Sequence, residues 1–161
     1  MRFGPRAESR PRQKVIVAVI FAMFAALLIV PGMDHRFGWS QVPAAIVVLA
    51  NLLIIADLRS LPPGVARKYV AASTITVEAG QRVISTGPYA HVRHPMYAGA
   101  ALLIFAMPIA LGSFWGMLPA ALAIRVLIAR ILDEEHTLSA ELPGYDDYCR
   151  AIPYRLIPLV W

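Results

Sequence analysis

The chain of 161 residues has a single cysteine, Cys149, so it holds no internal disulfide. Charge is scarce as well: Asp, Glu, Lys and Arg make up 16% of the residues, against about 25% in an ordinary soluble domain. No G-x-G-x-x-G and no Walker sequence occurs, so the nucleotide-binding folds that depend on them lack their signature. Four histidines are too few for a histidine-rich di-iron centre. The pairs His91/His94 and Asp133/His136 do not add up to a convincing ligand set, and no metal is expected. No serine or cysteine has the surroundings of a nucleophile, and Cys149 reads as a bystander. What the chain has in abundance is apolar side chains, 58% of the total, with a mean hydropathy of +0.61. That excludes a disordered chain and predicts one all-α integral membrane domain covering 1–161.

Four apolar stretches predict about four transmembrane helices, near residues 15–31, 42–57, 95–111 and 114–132, with a loop over 57–94 and a segment over 133–161. The first run, Val15–Val30, has no polar side chain and is expected to stop at Pro31-Gly32. It reads as a retained helix rather than a cleaved signal peptide, because Pro-Gly-Met-Asp is a poor cleavage site. The last two are fused into one apolar region, Met96–Leu132, which Pro108, Gly112 and Ser113 interrupt as a tight helical hairpin.

The net charge of +5 raises the question of nucleic acid, but the distribution answers it otherwise. Arg2, Arg6, Arg10, Arg12 and Lys14 precede the first helix; Arg59, Arg67, Lys68, Arg82 and Arg93 lie between the second and third; Arg150 and Arg155 follow the fourth. The loop Pro31–Gln41 balances Arg36 with Asp34, and the hairpin turn is uncharged. Excess Lys and Arg on one side predict that both termini and the 57–94 loop are cytoplasmic. No nucleic-acid partner is expected; membrane lipids are.

Chemistry is then expected where this cytoplasmic layer meets the last two helices. The string Gly87-Pro88-Tyr89-Ala90-His91-Val92-Arg93-His94-Pro95-Met96-Tyr97-Ala98-Gly99 places Pro95 in the first turn of the third helix, where its missing N–H costs nothing, and His94 at the N-cap. The positive end of the helix dipole, with Arg93 and His94, suits a carboxylate or phosphate. The plainer reading is an interfacial anchor at headgroup depth. In the second string, Asp133, Glu134 and Glu135 crowd the end of the fourth helix against its dipole. Compensation comes either from a cationic ligand or from Arg125 and Arg130, with Arg130 spaced to pair with Glu134 if the helix continues. Arg125, about five residues inside the apolar stretch, reads equally as a group that neutralises an acidic substrate or as a snorkelling side chain. The third string, Gly144–Pro158, is amphipathic and aromatic, and fits either a lid over the cytoplasmic mouth or a membrane-surface segment.

Val83–Tyr89 with Arg93-His94-Pro95-Met96-Tyr97-Ala98-Gly99, then Glu134-Glu135, Leu138, Gly144, Tyr148 and Pro158, resemble the two signature blocks of the isoprenylcysteine carboxyl methyltransferase family, a group related to the membrane phospholipid methyltransferases. The resemblance covers roughly residues 73–161. It implies S-adenosylmethionine as methyl donor, bound at the cytoplasmic ends of the last two helices in a bacterial-type cytoplasmic membrane. Carried over, the cofactor-binding candidates are Tyr89, His91, Arg93, His94, Pro95, Tyr97, Gly99, Glu134, Glu135 and Tyr148, and the catalytic candidates are Arg125, Arg130 and Glu135. It also implies a lipophilic acceptor, an isoprenylcysteine-like or other small lipid acid, with phospholipid N-methylation and a non-catalytic scaffold as the alternatives. Such a carboxylate is already a nucleophile, so methyl transfer to it needs alignment and exclusion of water rather than a base; an amine would have to be deprotonated first. Asp57–Gly64 departs from the family pattern, which bears on the acceptor side of the site.

Overall fold

The computed structural model describes residues 11–60 and 83–161, and among these every regular element is helical. The order is α1 (Pro11–Phe37), α2 (Ala44–Ser60), a single 3₁₀ turn (Gly87–Ala90), α3 (Pro95–Ala110), α4 (Met117–Glu141) and α5 (Tyr145–Ala151). The all-α expectation holds. Arg2, Arg6, Arg10, Arg67, Lys68, Arg82 and Leu61–Gly64, which enter the topology and the family comparison, lie outside the described residues.

Several helix ends differ from expectation. α1 passes through Pro31-Gly32 and ends at Phe37. Proline removes one intrahelical hydrogen bond, at a cost of about 3 kcal/mol in an exposed helix. Here the Pro31 ring is fully buried, and packing offsets the loss. α4 begins at Met117 rather than near Phe114, because residues 111–116 form the turn, with Gly112 at φ +76°. It then runs to Glu141, nine residues past the end of the apolar stretch at Leu132. Asp133, Glu134 and Glu135 therefore lie within a helix and not in a solvated tail.

Among the described residues no helix is long and apolar enough to cross a membrane. α2 and α3 have 17 and 16 residues, roughly 25 Å each at the α-helical rise. α4 is longer, but carries Arg125 in its first half and Arg130, Asp133, Glu134 and Glu135 in its second. The apolar surface of the four helices is nonetheless open: Phe21, Phe24, Ile29, Leu49, Leu52, Phe105, Leu118 and Leu122 are all more than half exposed.

α3 and α4 form the antiparallel hairpin, α2 packs along α3, and α1 lies against α4 and α3. Leu27 of α1 meets Ala120 and Ala123 of α4, with Met23, Ile104 and Met107 around them. Small side chains let these backbones approach closely. Closest of all is Gly116, where an added Cβ would stand 2.5 Å from Pro108 Cβ and 2.8 Å from Pro31 Cγ.

The end of the bundle at that turn is fastened by Asp34, which is fully buried. Its carboxylate accepts from Ser40 N–H at 2.7 Å, from the Ser40 hydroxyl at 2.5 Å and from the Ser113 hydroxyl at 2.5 Å. Ser40 Oγ in turn accepts from Phe114 N–H, and Ser113 Oγ from Gly116 N–H. These bonds tie the α1–α2 loop to the α3–α4 turn. The opposite end, where α3 begins, holds Arg93, Glu134, Glu135 and Arg155.

Candidate functional site

Pro95 opens α3 and removes the one N–H that a first helical turn can spare. His94 is the N-cap, with extended-like backbone (φ −126°, ψ 63°), and its imidazole makes no capping bond to α3. The ring turns towards α4 instead, where Nε2–H donates to Glu135 Oε1 at 3.2 Å. Arg93 Nε lies 3.3 Å from the same oxygen, and Arg155 Nε donates to Glu135 Oε2 at 2.7 Å. One carboxylate thus collects three cationic or potentially cationic groups from two separate chain segments. Glu135, His94 and the Arg93 side chain are all more than nine-tenths or about nine-tenths buried. Burial pushes the Glu135 carboxyl up, but hydrogen bonds from His94 and Arg155 and the charges of Arg93 and Arg155 outweigh it and hold the group below the usual carboxylate range.

The acids at the end of α4 are therefore balanced from within the protein, by Arg93 and Arg155 at Glu135. Arg130 stands nearby, beside the Tyr97 phenol. Tyr97 O–H donates to Glu134 Oε2 at 2.5 Å, which joins α3 to α4 one helical turn in from the His94–Glu135 contact. The His94 and Tyr97 rings lie 5.6 Å apart. Arg93 keeps one unspent group: its Nε–H is buried without a hydrogen-bond acceptor, since the approach to Glu135 is close in distance but misaligned. A buried unsatisfied donor costs roughly 1–3 kcal/mol, and an incoming anionic group would relieve it.

A second layer supports the first. Tyr148 O–H donates to the Tyr89 carbonyl at 2.8 Å, so α5 holds the 3₁₀ turn that leads into the site. Burial raises the ionisation of both phenols above their ordinary value. Leu142, Tyr145 and Tyr148 form a small core of their own, with Val83, Leu138 and Ile152 around it.

Of the expected residues, Arg93, His94, Pro95, Tyr97, Arg130, Glu134 and Glu135 come together, with Tyr89 and Tyr148 behind them. His91 is exposed on the 3₁₀ turn, its backbone N–H bonded to Pro88 O. Gly99 is half-buried in α3. Arg125 is exposed and stands ten residues before Glu135 on α4, roughly 15 Å along the axis. Arg155 enters the sequence reading through topology and as part of the Gly144–Pro158 string, not as a named site residue. The structure puts it on Glu135, a contact without any fixed spacing to betray it.

Residues 39–142, which hold both halves of this arrangement, match the profile of the phospholipid methyltransferase family. The chain is 24% identical over 134 residues to the nickel-cobalt-cadmium resistance protein NccN of Alcaligenes xylosoxydans xylosoxydans, covering 74% of this chain and 63% of that protein. It is 29% identical over 91 residues to the Delta(14)-sterol reductase TM7SF2 of Mus musculus, covering 55% of this chain and 22% of the reductase. The chain thus spans less than two thirds of the length of these relatives. The match over most of its length is decisive for family: the chain belongs to the phospholipid methyltransferase family, the group of membrane methyltransferases that includes the isoprenylcysteine carboxyl methyltransferase type.

Proposed function

We propose that this chain is an integral membrane, S-adenosylmethionine-dependent methyltransferase that acts on a lipophilic acceptor, with the reaction at the Arg93–Glu135 end of the bundle. The observation that carries the proposal is the meeting of the two halves of the family match, His94 and Tyr97 from α3 with Glu134 and Glu135 from α4.

The residues present suit such a cofactor. Its carboxylate would find the buried, acceptor-less Nε–H of Arg93 beside the positive start of α3. Its amino and sulfonium charges would find Glu134, half-buried and oriented by Tyr97. When bound, the cofactor supplies a methyl group activated by the positive sulfur. Glu135 holds Arg93, His94 and the segment carrying Arg155 in one fixed relation and is itself held by them, so it orders the site without touching the reacting atoms. Aromatic and apolar side chains from α5 and the 3₁₀ turn close the site from behind and keep water away from it.

The acceptor favoured here is a small lipid acid, because a carboxylate needs no base and the buried carboxylate of the cluster, Glu135, is taken up by His94, Arg93 and Arg155. Phospholipid N-methylation is the second reading, favoured by the family description. In that case Glu134 would take the amine proton. The open apolar belt around the bundle supports residence in a bilayer, since exposed patches of this extent mark lipid or partner contact. Helices of about 25 Å would be met by local thinning of the roughly 30 Å hydrocarbon core.

The test is transfer of isotopically labelled methyl from S-adenosylmethionine into a lipid extract by the detergent-purified chain. Base treatment of the product separates the acceptor classes: a methyl ester releases methanol and an N-methyl group does not. Folded protein that binds no cofactor by calorimetry would establish the non-catalytic alternative.

A further inference from the structure

We propose that Arg155 is a positioning residue for this site, acting through Glu135 on Arg93, and that residues 152–161 form a clasp that sets it in place. The inference rests on the cofactor reading above for its functional consequence, but not for the clasp.

The family-model match covers residues 39–142, and the segment that carries Arg155 follows it, between Tyr148 and Pro158 of the second resembling block. That segment is built into the site. Arg93 N–H donates to Tyr154 O and His94 N–H to Arg155 O, both at 2.9 Å, and Arg93 Nη2 reaches Pro153 O at 3.3 Å. These bonds lay the segment along the residues that open α3. Beyond them the chain folds back on itself: Leu156 N–H and Ile157 N–H both donate to Trp161 O, and Leu159 takes φ +67°, a conformation seldom adopted by a branched residue. The return places Trp161 under the Arg155 guanidinium, 5.3 Å from its ring centre. Arg155 is therefore gripped from its backbone and from one face before it meets Glu135.

The consequence lies in how Glu135 divides its oxygens. Arg155 takes Oε2 with a short, aligned bond, and His94 takes Oε1. Arg93 approaches Oε1 at 3.3 Å without the alignment of a hydrogen bond, which leaves its buried Nε–H available. Without Arg155, the freed carboxylate would turn to Arg93, the strongest remaining cation, and close that donor. Arg155 thus keeps Arg93 open for an anionic group by occupying its competitor.

The experiment is a double-mutant cycle on cofactor affinity in detergent, using Arg93→Lys, Arg155→Ala, Arg155→Lys and the double variants, with melting temperature recorded for each. Arg155→Ala is expected to weaken S-adenosylmethionine binding at least tenfold, and Arg155→Lys by less. The effect should vanish in the Arg93→Lys background, because the group acted upon is gone. Multiplicative losses, or affinity within twofold of wild type in Arg155→Ala, would overturn the positioning role. The clasp is read independently by hydrogen exchange: Arg155→Lys should raise exchange at the Arg93 and His94 amides. Unchanged exchange would overturn the clasp. A wild-type chain that binds no cofactor would instead remove the catalytic reading and the positioning role together, with the exchange result still deciding the clasp.

Discussion

His94 Nε2 stands 3.2 Å from Glu135 Oε1 across 41 residues of sequence. The contact joins the first residue before α3 to the inner face of α4, and it fixes the hairpin at the end opposite to its turn. The charge of Glu135 is what makes the junction favourable, because Arg93 and Arg155 converge on the same group.

Glu135→Gln should therefore lower stability by about 3 kcal/mol at neutral pH, since one partner is removed from a largely buried ion cluster and leaves its cations uncompensated. The sign of the pH dependence follows from the depressed folded-state ionisation. Glu135 contributes stability that is fully present above its ordinary value of 4.5 and is lost as pH falls through the lower folded value. Melting curves of wild type in detergent should show an acid limb below about pH 4.5 that Glu135→Gln flattens. Parallel acid limbs in the two proteins would contradict this account.

Tyr97→Phe removes one donor and little volume. The lost partner is a 2.5 Å hydrogen bond to the Glu134 carboxylate, and such charge-assisted bonds are worth about 2 kcal/mol. Part of that is returned by water, because Glu134 is only half-buried. The expected result is a modest fall in melting temperature together with a several-fold loss of cofactor affinity. Arg125→Leu is the control: at roughly 15 Å from Glu135 along α4, it should leave cofactor affinity unchanged. A loss comparable to that of Tyr97→Phe would place Arg125 in the cofactor site after all.

Gly116 and Gly32 make a matched pair. A Cβ at Gly116 would collide with Pro108 and Pro31, both fully buried rings, whereas a Cβ at Gly32 meets nothing within 4 Å. Gly116→Ala should destabilise by about 2 kcal/mol through overpacking. Gly32→Ala, in the body of α1, should stabilise by up to about 1 kcal/mol through helix propensity. Equal effects on melting temperature would show that the α1–α4 contact is looser than the distances indicate.

The helices were legible because their apolar runs are long, and the α3 start was legible because proline and histidine are local signals. The length of α4 was not. Hydropathy stops at Leu132, and only the partners waiting for Glu134 and Glu135 explain why the helix continues. The Arg155–Glu135 pairing was not legible for a related reason: a long-range ion pair leaves no spacing to read. The Asp34 fastening escaped because Asp34 beside Arg36 looks like a neutral surface pair, while the structure buries the aspartate on Ser40 and Ser113 and leaves Arg36 over the Phe37 ring. Pro31 misled in the other direction. Proline ends helices in isolation, but a buried ring packed at Gly116 is held by tertiary contact.

The three tryptophans provide a test of how the bundle sits in a bilayer. Trp39 and Trp115 meet edge to face at 6.4 Å, with Phe37 stacked on Trp39, at the Asp34 end. Trp161 lies at the other end, under Arg155. Tryptophan favours the interface, where one edge is apolar and the other wet. α3 separates the two ends by about 24 Å. In vesicles of brominated lipids, variants retaining one tryptophan each should all be quenched most strongly by bromines near the headgroups and weakly by those near the chain ends. An aqueous quencher added outside right-side-in vesicles should reach Trp161 but not Trp39 or Trp115, or the reverse for the opposite insertion. Strong quenching of Trp39 by deep bromines would move that end into the hydrocarbon, and access to all three from one side would mean that the bundle lies on the membrane and does not cross it.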